Sequence, residues 1–121
     1  MPQTFDAPTL AGLRASKEVR IGTSHRPDHP VTIWIVAVDG TAYVRSVRGG
    51  KGQWYVAASA DHQATLEVDD RQFAVRITPV TDASTIEAVS QAYLAKYADS
   101  PWAAAMVRDE TLSTTLRVEP L

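Results

Sequence analysis

"VTIWIVAV", Val31 to Val38, runs directly into Asp39–Gly40. Eight residues that are nearly all β-branched, aromatic or aliphatic leave no polar face for water, so the segment reads as a strand buried on both sides. Asp-Gly is the dipeptide that a tight hairpin turn prefers, and "TAYVRSV", Thr41 to Val47, reads as the return strand. The chain is therefore built around an antiparallel hairpin.

The flanking segments extend this pattern. "PTLAGLRAS", residues 8–16, predicts a short helix with Pro8 in its first turn and Leu10 and Leu13 on one side. "EVRIGT", Glu18 to Thr23, alternates like a strand, and "SHRPDHP", with two prolines, reads as a loop. "QWYVAAS" (Gln53–Ser59), "ATLEVD" (Ala64–Asp69) and "RQFAVRITPV" (Arg71–Val80) read as further strands, with a tight turn at Asp69–Asp70. The period then changes. Asp82 caps a helix reaching Ala98, with Ile86, Val89, Tyr93, Leu94 and Tyr97 as its apolar stripe and Lys96 in its last turn. "WAAAMVRDE" predicts a second short helix, and "STTLRVEP" a last strand. Five or six short strands, tight turns and one long helix predict a small antiparallel barrel, which removes sheet edges. An open α+β sandwich fits the same string nearly as well.

Composition narrows the function classes. A chain of 121 residues predicts one domain, residues 1–121. A net charge of -2 argues against a dedicated nucleic-acid binder, because such domains carry a basic face. The absence of cysteine excludes disulfides, thiolate metal sites and thiol nucleophiles, and fits a reducing cytoplasm. No apolar run reaches the roughly 20 residues of a membrane span, and "MPQTFDAPTL" lacks a secretory-signal pattern. A cytoplasmic location is expected.

Candidate chemistry concentrates in "YVRSVRGGKGQWY", Tyr43 to Tyr55. As a strand, Tyr43 to Arg48 would put a cation among apolar side chains on each face. Gly49, Gly50 and Gly52 would expose backbone N–H groups between Arg48 and Lys51. Fixed donors flanked by two cations suit a phosphate, and Trp54 and Tyr55 offer flat faces to a ring system. A solvated hairpin turn explains the same residues, and the stretch matches neither the phosphate-loop nor the dinucleotide glycine pattern. Elsewhere the signals are weaker. His25 and His29 in "HRPDH" lie in a proline-containing loop with no helical face to converge them on a metal. Asp69–Asp70 and Asp109–Glu110 are adjacent carboxylates whose side chains diverge, and Ser46 has no histidine near it in sequence.

"PVTIWIVAVDGTAYVRSVRGGKGQWY" resembles the flavin-binding split barrels, the pyridoxamine-phosphate oxidases and the deazaflavin-dependent nitroreductases. Lys51–Gly52 matches a Lys-Gly pair of the oxidases, and Trp54–Tyr55 matches a Trp-Tyr pair of the nitroreductases. The whole chain from "EVRI" onward, with "AYLAKY" and "TTLRVEP", is similar to an uncharacterised bacterial family of this superfamily. The resemblance implies a six-stranded antiparallel split β-barrel with one main α-helix, mainly β, assembled as a homodimer. It implies a bound FMN or deazaflavin coenzyme, a nucleotide-type small molecule, held by Arg48 and Lys51. Arg45 and Ser46 would be supporting donors, and Trp54 would lie near the ring or brace the loop. Any reaction would then be that of an oxidoreductase. The oxidases place Arg and His near the C-terminus, where this chain has Arg117 alone. The rival expectation is a non-catalytic barrel without cofactor that binds a small ligand or a partner. No metal site, nucleic acid or membrane is expected to take part.

Overall fold

The computed structural model describes residues 5–24 and 28–121. The helices are α1 (Ala7–Ala15), α2 (Gln53–Asp61), α3 (Ala83–Lys96) and α4 (Asp109–Leu112). The strands are β1 (Val19–Gly22), β2 (Val31–Ile33), β3 (Ile35–Val38), β4 (Thr41–Val44), β5 (Gln63–Val68), β6 (Arg71–Pro79) and β7 (Leu116–Pro120). Short 3-10 turns cover Gly49–Lys51 and Ala103–Val107.

All seven strands join one antiparallel sheet in the order β2-β1-β5-β6-β7-β4-β3. The two strands at its ends are consecutive in the chain, with only Trp34 between them. A single bent run therefore supplies both ends of the sheet, which curls into a nearly closed barrel. The expected barrel is present, with seven strand segments rather than six. The expected single strand Val31–Val38 is broken in two at Trp34, while the expected strand Gln53–Ser59 is not a strand at all.

The hairpin turn is as predicted. Asp39 and Gly40 both take positive φ, 50° and 83°, the mirror-image turn that matches strand twist. Alternation then sorts the hairpin's side chains. Ile35 and Val44, paired in register, enter a core shared with Ile21, Leu66, Val75, Ile77 and Leu116. Their neighbours Val36 and Tyr43 enter a second cluster with Val89, Tyr93, Tyr97 and Met106, beneath α3. Asp82 caps α3, its carboxylate accepting from the Thr85 N–H. Leu94 falls outside the expected stripe, 39% exposed.

Gln53–Ser59, expected as a strand, is the body of α2. Trp54 and Tyr55 have high strand propensity, but Ala57, Ala58 and Ala60 favour helix, and tertiary packing decides. One helical turn presses Trp54, Tyr55 and Ala58 onto the main core together, and His62 ends the helix in a left-handed conformation. The return strand also stops earlier than expected. It ends at Val44, so Arg45 and Ser46 have left the ladder.

The break at Trp34 is served by α3. Tyr93 Oη donates to the Trp34 carbonyl at 3.2 Å, and Lys96 Nζ donates to the Ile35 carbonyl at 2.6 Å and the Leu13 carbonyl at 3.0 Å. Tyr97 Oη accepts the Ile35 N–H at 3.3 Å and donates to the Lys17 carbonyl at 2.6 Å. The Trp34 indole lies flat on the Tyr97 ring, 3.9 Å between centroids at 3°. Backbone groups that the bend takes out of regular pairing thus find partners, as buried peptide groups must.

Candidate functional site

Beyond the end of β4 the chain opens one wall of a cleft of about 600 Å³. Arg45, Ser46, Arg48 and Trp54, four of the five expected site residues, line it. Lys51 does not. It is exposed on the 3-10 turn beside the cleft. All three tryptophans of the chain, Trp34, Trp54 and Trp102, reach the same cleft from three separate segments.

Arg45 is the largest fully buried side chain, 1% exposed. Its Nε donates to Thr115 Oγ1 at 2.8 Å, one terminal nitrogen to Ser90 Oγ and the Met106 carbonyl at 2.9 Å each, and the other to the Ile86 carbonyl at 2.8 Å. The guanidinium also lies 5.7 Å from the centroid of the Tyr93 ring. Burial pulls its pKa below the ordinary guanidinium value, but arginine starts so high that it stays charged. Every hydrogen-bond partner is neutral, and among the described residues no carboxylate pairs with it.

Ser46 follows in a fixed pose. Its N–H donates to Thr114 Oγ1 at 2.9 Å, and its carbonyl accepts from the Gly49 N–H at 2.9 Å. Thr114 and Thr115 pass their own hydroxyl protons to the Thr111 and Leu112 carbonyls, which orients their oxygens as acceptors for Ser46 and Arg45. Ser46 Oγ itself is buried and has no partner among the described residues. A Cβ on Gly52 would collide with it, so only glycine lets the start of α2 come this close.

That start of α2 is the second element of the site. Gly52 caps the helix without a side-chain hydrogen bond, and no acidic residue occupies the first turn. Gly52 and Gln53 line the cleft, so the free N–H groups of a nine-residue helix open beside Ser46 and the exposed Arg48. The helix N-terminus, Arg48 and Ser46, whose hydroxyl has no partner among the described residues, thus border the same end of the cleft, an arrangement that favours negative charge. The far end is apolar: Val31, Ile33, Trp34, Trp102 and Met106. Among the described residues no Asp, Glu, His, Lys or Tyr lines the cleft. His25 lies outside the described residues, which hold no group of three metal-binding side chains.

The sequence singled out the Arg45–Trp54 side of the cleft and missed the rest. Trp34 was hidden inside a run that reads as pure core, and Trp102 in a short apolar helix. Nothing local ties Thr114 and Thr115 to residues nearly 70 positions earlier.

Three solved structures share the architecture. A FAD-binding protein from Mesorhizobium loti matches 100% of this chain and 94% of its own at 16% identity, TM-score 0.61. A FAD-binding protein from Mycobacterium smegmatis matches 98% and 92% at 19% identity, TM-score 0.59. A candidate pyridoxamine 5'-phosphate oxidase from Listeria innocua matches 94% and 90% at 11% identity, TM-score 0.60. At these identities the shared feature is the split-barrel fold alone. No curated protein matches the chain. Residues 9–118 match the family model described as "Uncharacterized protein conserved in bacteria (DUF2255)", and the chain belongs to that family.

Proposed function

We propose that the cleft binds a flavin or deazaflavin nucleotide, phosphate at the start of α2 and ring system among the tryptophans. The observation that carries this reading is Ser46 Oγ, a buried hydroxyl with no partner among the described residues, in a residue that lines the cleft with Arg48 and the open N-terminus of α2. Leaving a buried hydroxyl unpaired costs about 1–3 kcal/mol, which a ligand oxygen would recover once the side chain turns toward the cleft. The residues present fit the group. Arg48, Ser46 and the first N–H groups of α2 would hold the phosphate, Lys51 would add a nearby charge, and Trp54 would border the ring. Two structural neighbours being described as FAD-binding supports a flavin over other anionic ring compounds. When bound, such a cofactor supplies hydride or electron transfer, and the protein supplies position and electrostatics. The described cleft walls hold no general acid or base, which suits either a cofactor-borne oxidoreductase reaction or a non-catalytic binding module.

The exposed apolar rim, Trp102 at 68%, Val47 at 46% and Val31 at 41%, supports a homodimer whose second copy covers the mouth. Sedimentation at twice the 13.2 kDa chain mass is the expected result. The decisive experiment is titration of the apoprotein with FMN, FAD and the deazaflavin coenzyme, followed by tryptophan quenching and ligand absorbance. Binding of one in the micromolar range or tighter supports the reading. Failure of all three at high micromolar concentration overturns it. If one binds, reduction of the loaded protein by a nicotinamide donor and reoxidation by an added acceptor separate the oxidoreductase from the binding module.

A further inference from the structure

The phosphate reading leaves Arg45 unexplained. A guanidinium that is 1% exposed has lost its hydration, and proteins normally answer this with a carboxylate. Here the four acceptors are two hydroxyls and two carbonyls, all uncharged. The ionisable side chains around it do not neutralise it. From α3, Tyr93 offers its ring face and a hydroxyl that burial keeps protonated, while the exposed Glu87 acts on the guanidinium only through space, with no hydrogen bond or ion pair to it. The turn Ala103–Val107 and the Thr114–Thr115 corner contribute no ionisable group. Arg48 is a second cation, not a counter-charge. Four of the five N–H donors are committed, and the fifth, on the nitrogen that serves Ile86, has no partner among the described residues.

Arg45 borders the cleft, whose apolar wall includes Ile33, Trp34 and Met106, and its guanidinium lies just beneath that wall, anchored to Thr115, Ser90, Met106 and Ile86. We infer that the cleft wall at Arg45 is a second anion subsite, which accepts a delocalised negative charge carried by the ring system of the bound ligand rather than by its phosphate. The inference rests on the flavin-type reading and names the electronic state of ligand that the site favours. The geometry separates the two kinds of anion. A phosphate concentrates charge on a few oxygens and needs several donors to replace water, which one free N–H among apolar walls does not provide. A ring anion spreads its charge over many atoms, needs few hydrogen bonds, and gains from a fixed cation in a water-poor site. The hydrogen bonds to Thr115, Ser90, Met106 and Ile86 hold the charge in place, so no reorganisation is required when the ring becomes negative.

The probe is 8-hydroxy-FMN, whose ring hydroxyl ionises with a colour change, titrated against pH free and bound to wild-type protein. FMN is titrated alongside as the control for binding. The expected result is that the bound ring ionises at least one pH unit lower than the free ring, a tenfold preference for the anion. Arg48→Ala should weaken binding of both ligands and leave that shift in place. Arg45→Met, which keeps volume and removes charge, should abolish the shift. If that variant fails to fold, the wild-type comparison and Arg48→Ala still decide. FMN binding with no shift of the ring ionisation overturns this inference and leaves the flavin reading standing. A shift that disappears in Arg48→Ala assigns the effect to the rim and also overturns it. If neither ligand binds, both readings fall.

Discussion

Replacing Ser46 with alanine should move stability and binding in opposite directions. In the apoprotein Ser46 Oγ is buried and has no partner among the described residues, so the wild type bears the desolvation cost of a hydroxyl, about 1–3 kcal/mol. Alanine removes the hydroxyl and leaves a gap of one oxygen atom, which gives back part of that gain. The neighbouring hydrogen bonds use only the Ser46 backbone, so Thr114 and Gly49 keep their partners. We expect a net stabilisation of about 1 kcal/mol, or roughly 3–6 °C in Tm for a chain of this size. On the proposed reading, the Ser46 side chain turns toward the cleft when the ligand binds and its hydroxyl donates to a phosphate oxygen. A hydrogen bond to a charged group contributes about 1.5–3 kcal/mol, so the variant should bind FMN at least tenfold more weakly. Urea unfolding followed by circular dichroism gives the first quantity, and fluorescence titration the second. A variant destabilised by 1 kcal/mol or more would show that the hydroxyl has a structural partner. Unchanged affinity in a protein that does bind FMN would show that the phosphate sits elsewhere. Either outcome refutes the reasoning.

Arg48→Ala should weaken ligand binding by about tenfold or more, whereas Lys51→Ala, exposed and outside the cleft, should change it less than threefold at 0.15 M salt, both with apoprotein Tm nearly unchanged. Equal effects in titration would redraw the anion site around the 3-10 turn. Ile35→Ala, at a residue 0% exposed in the main core, should cost about 2–5 kcal/mol in urea unfolding. A loss below about 1 kcal/mol would place the strand at the periphery. Burial lowers the Lys96 pKa from 10.5 to about 8. Between those values the unfolded chain binds more protons at this residue than the folded one, so its contribution to stability rises with pH across that window. Lys96→Met should flatten this part of the stability–pH curve, and an unchanged slope would locate the titration elsewhere.

The sheet was legible because its signals are local. Alternation in Arg71–Val80, Asp-Gly at 39–40 and the Asp82 cap each act within a few residues, and the structure keeps all three. The bend at Trp34 was not legible. Its partners Tyr93, Lys96 and Tyr97 lie about 60 positions later, and nothing in "TIWIV" marks a break. The helix at Gln53 was misread for a related reason. Strand propensity in Trp54 and Tyr55 is a surface-fit preference that the core overrides. At the site, the charged and glycine residues of Tyr43–Tyr55 singled out in their own composition one wall of the cleft. The aromatic walls were invisible because three distant tryptophans become neighbours only when the barrel curls.

The sheet order also bears on how the chain is made. The β3–β4 hairpin can form as soon as Val44 has left the ribosome, but the other edge of β4 pairs with β7, and 76 positions separate Ala42 from Val118. At synthesis rates of roughly 5–20 residues per second, that edge stays open for about 4–15 s. Its side chains, Ala42, Tyr43 and Val44, are among the most apolar of the barrel, and open apolar edges recruit other strands. During this interval the open edge is free to pair with other strands, and only the arrival of the last strand closes it.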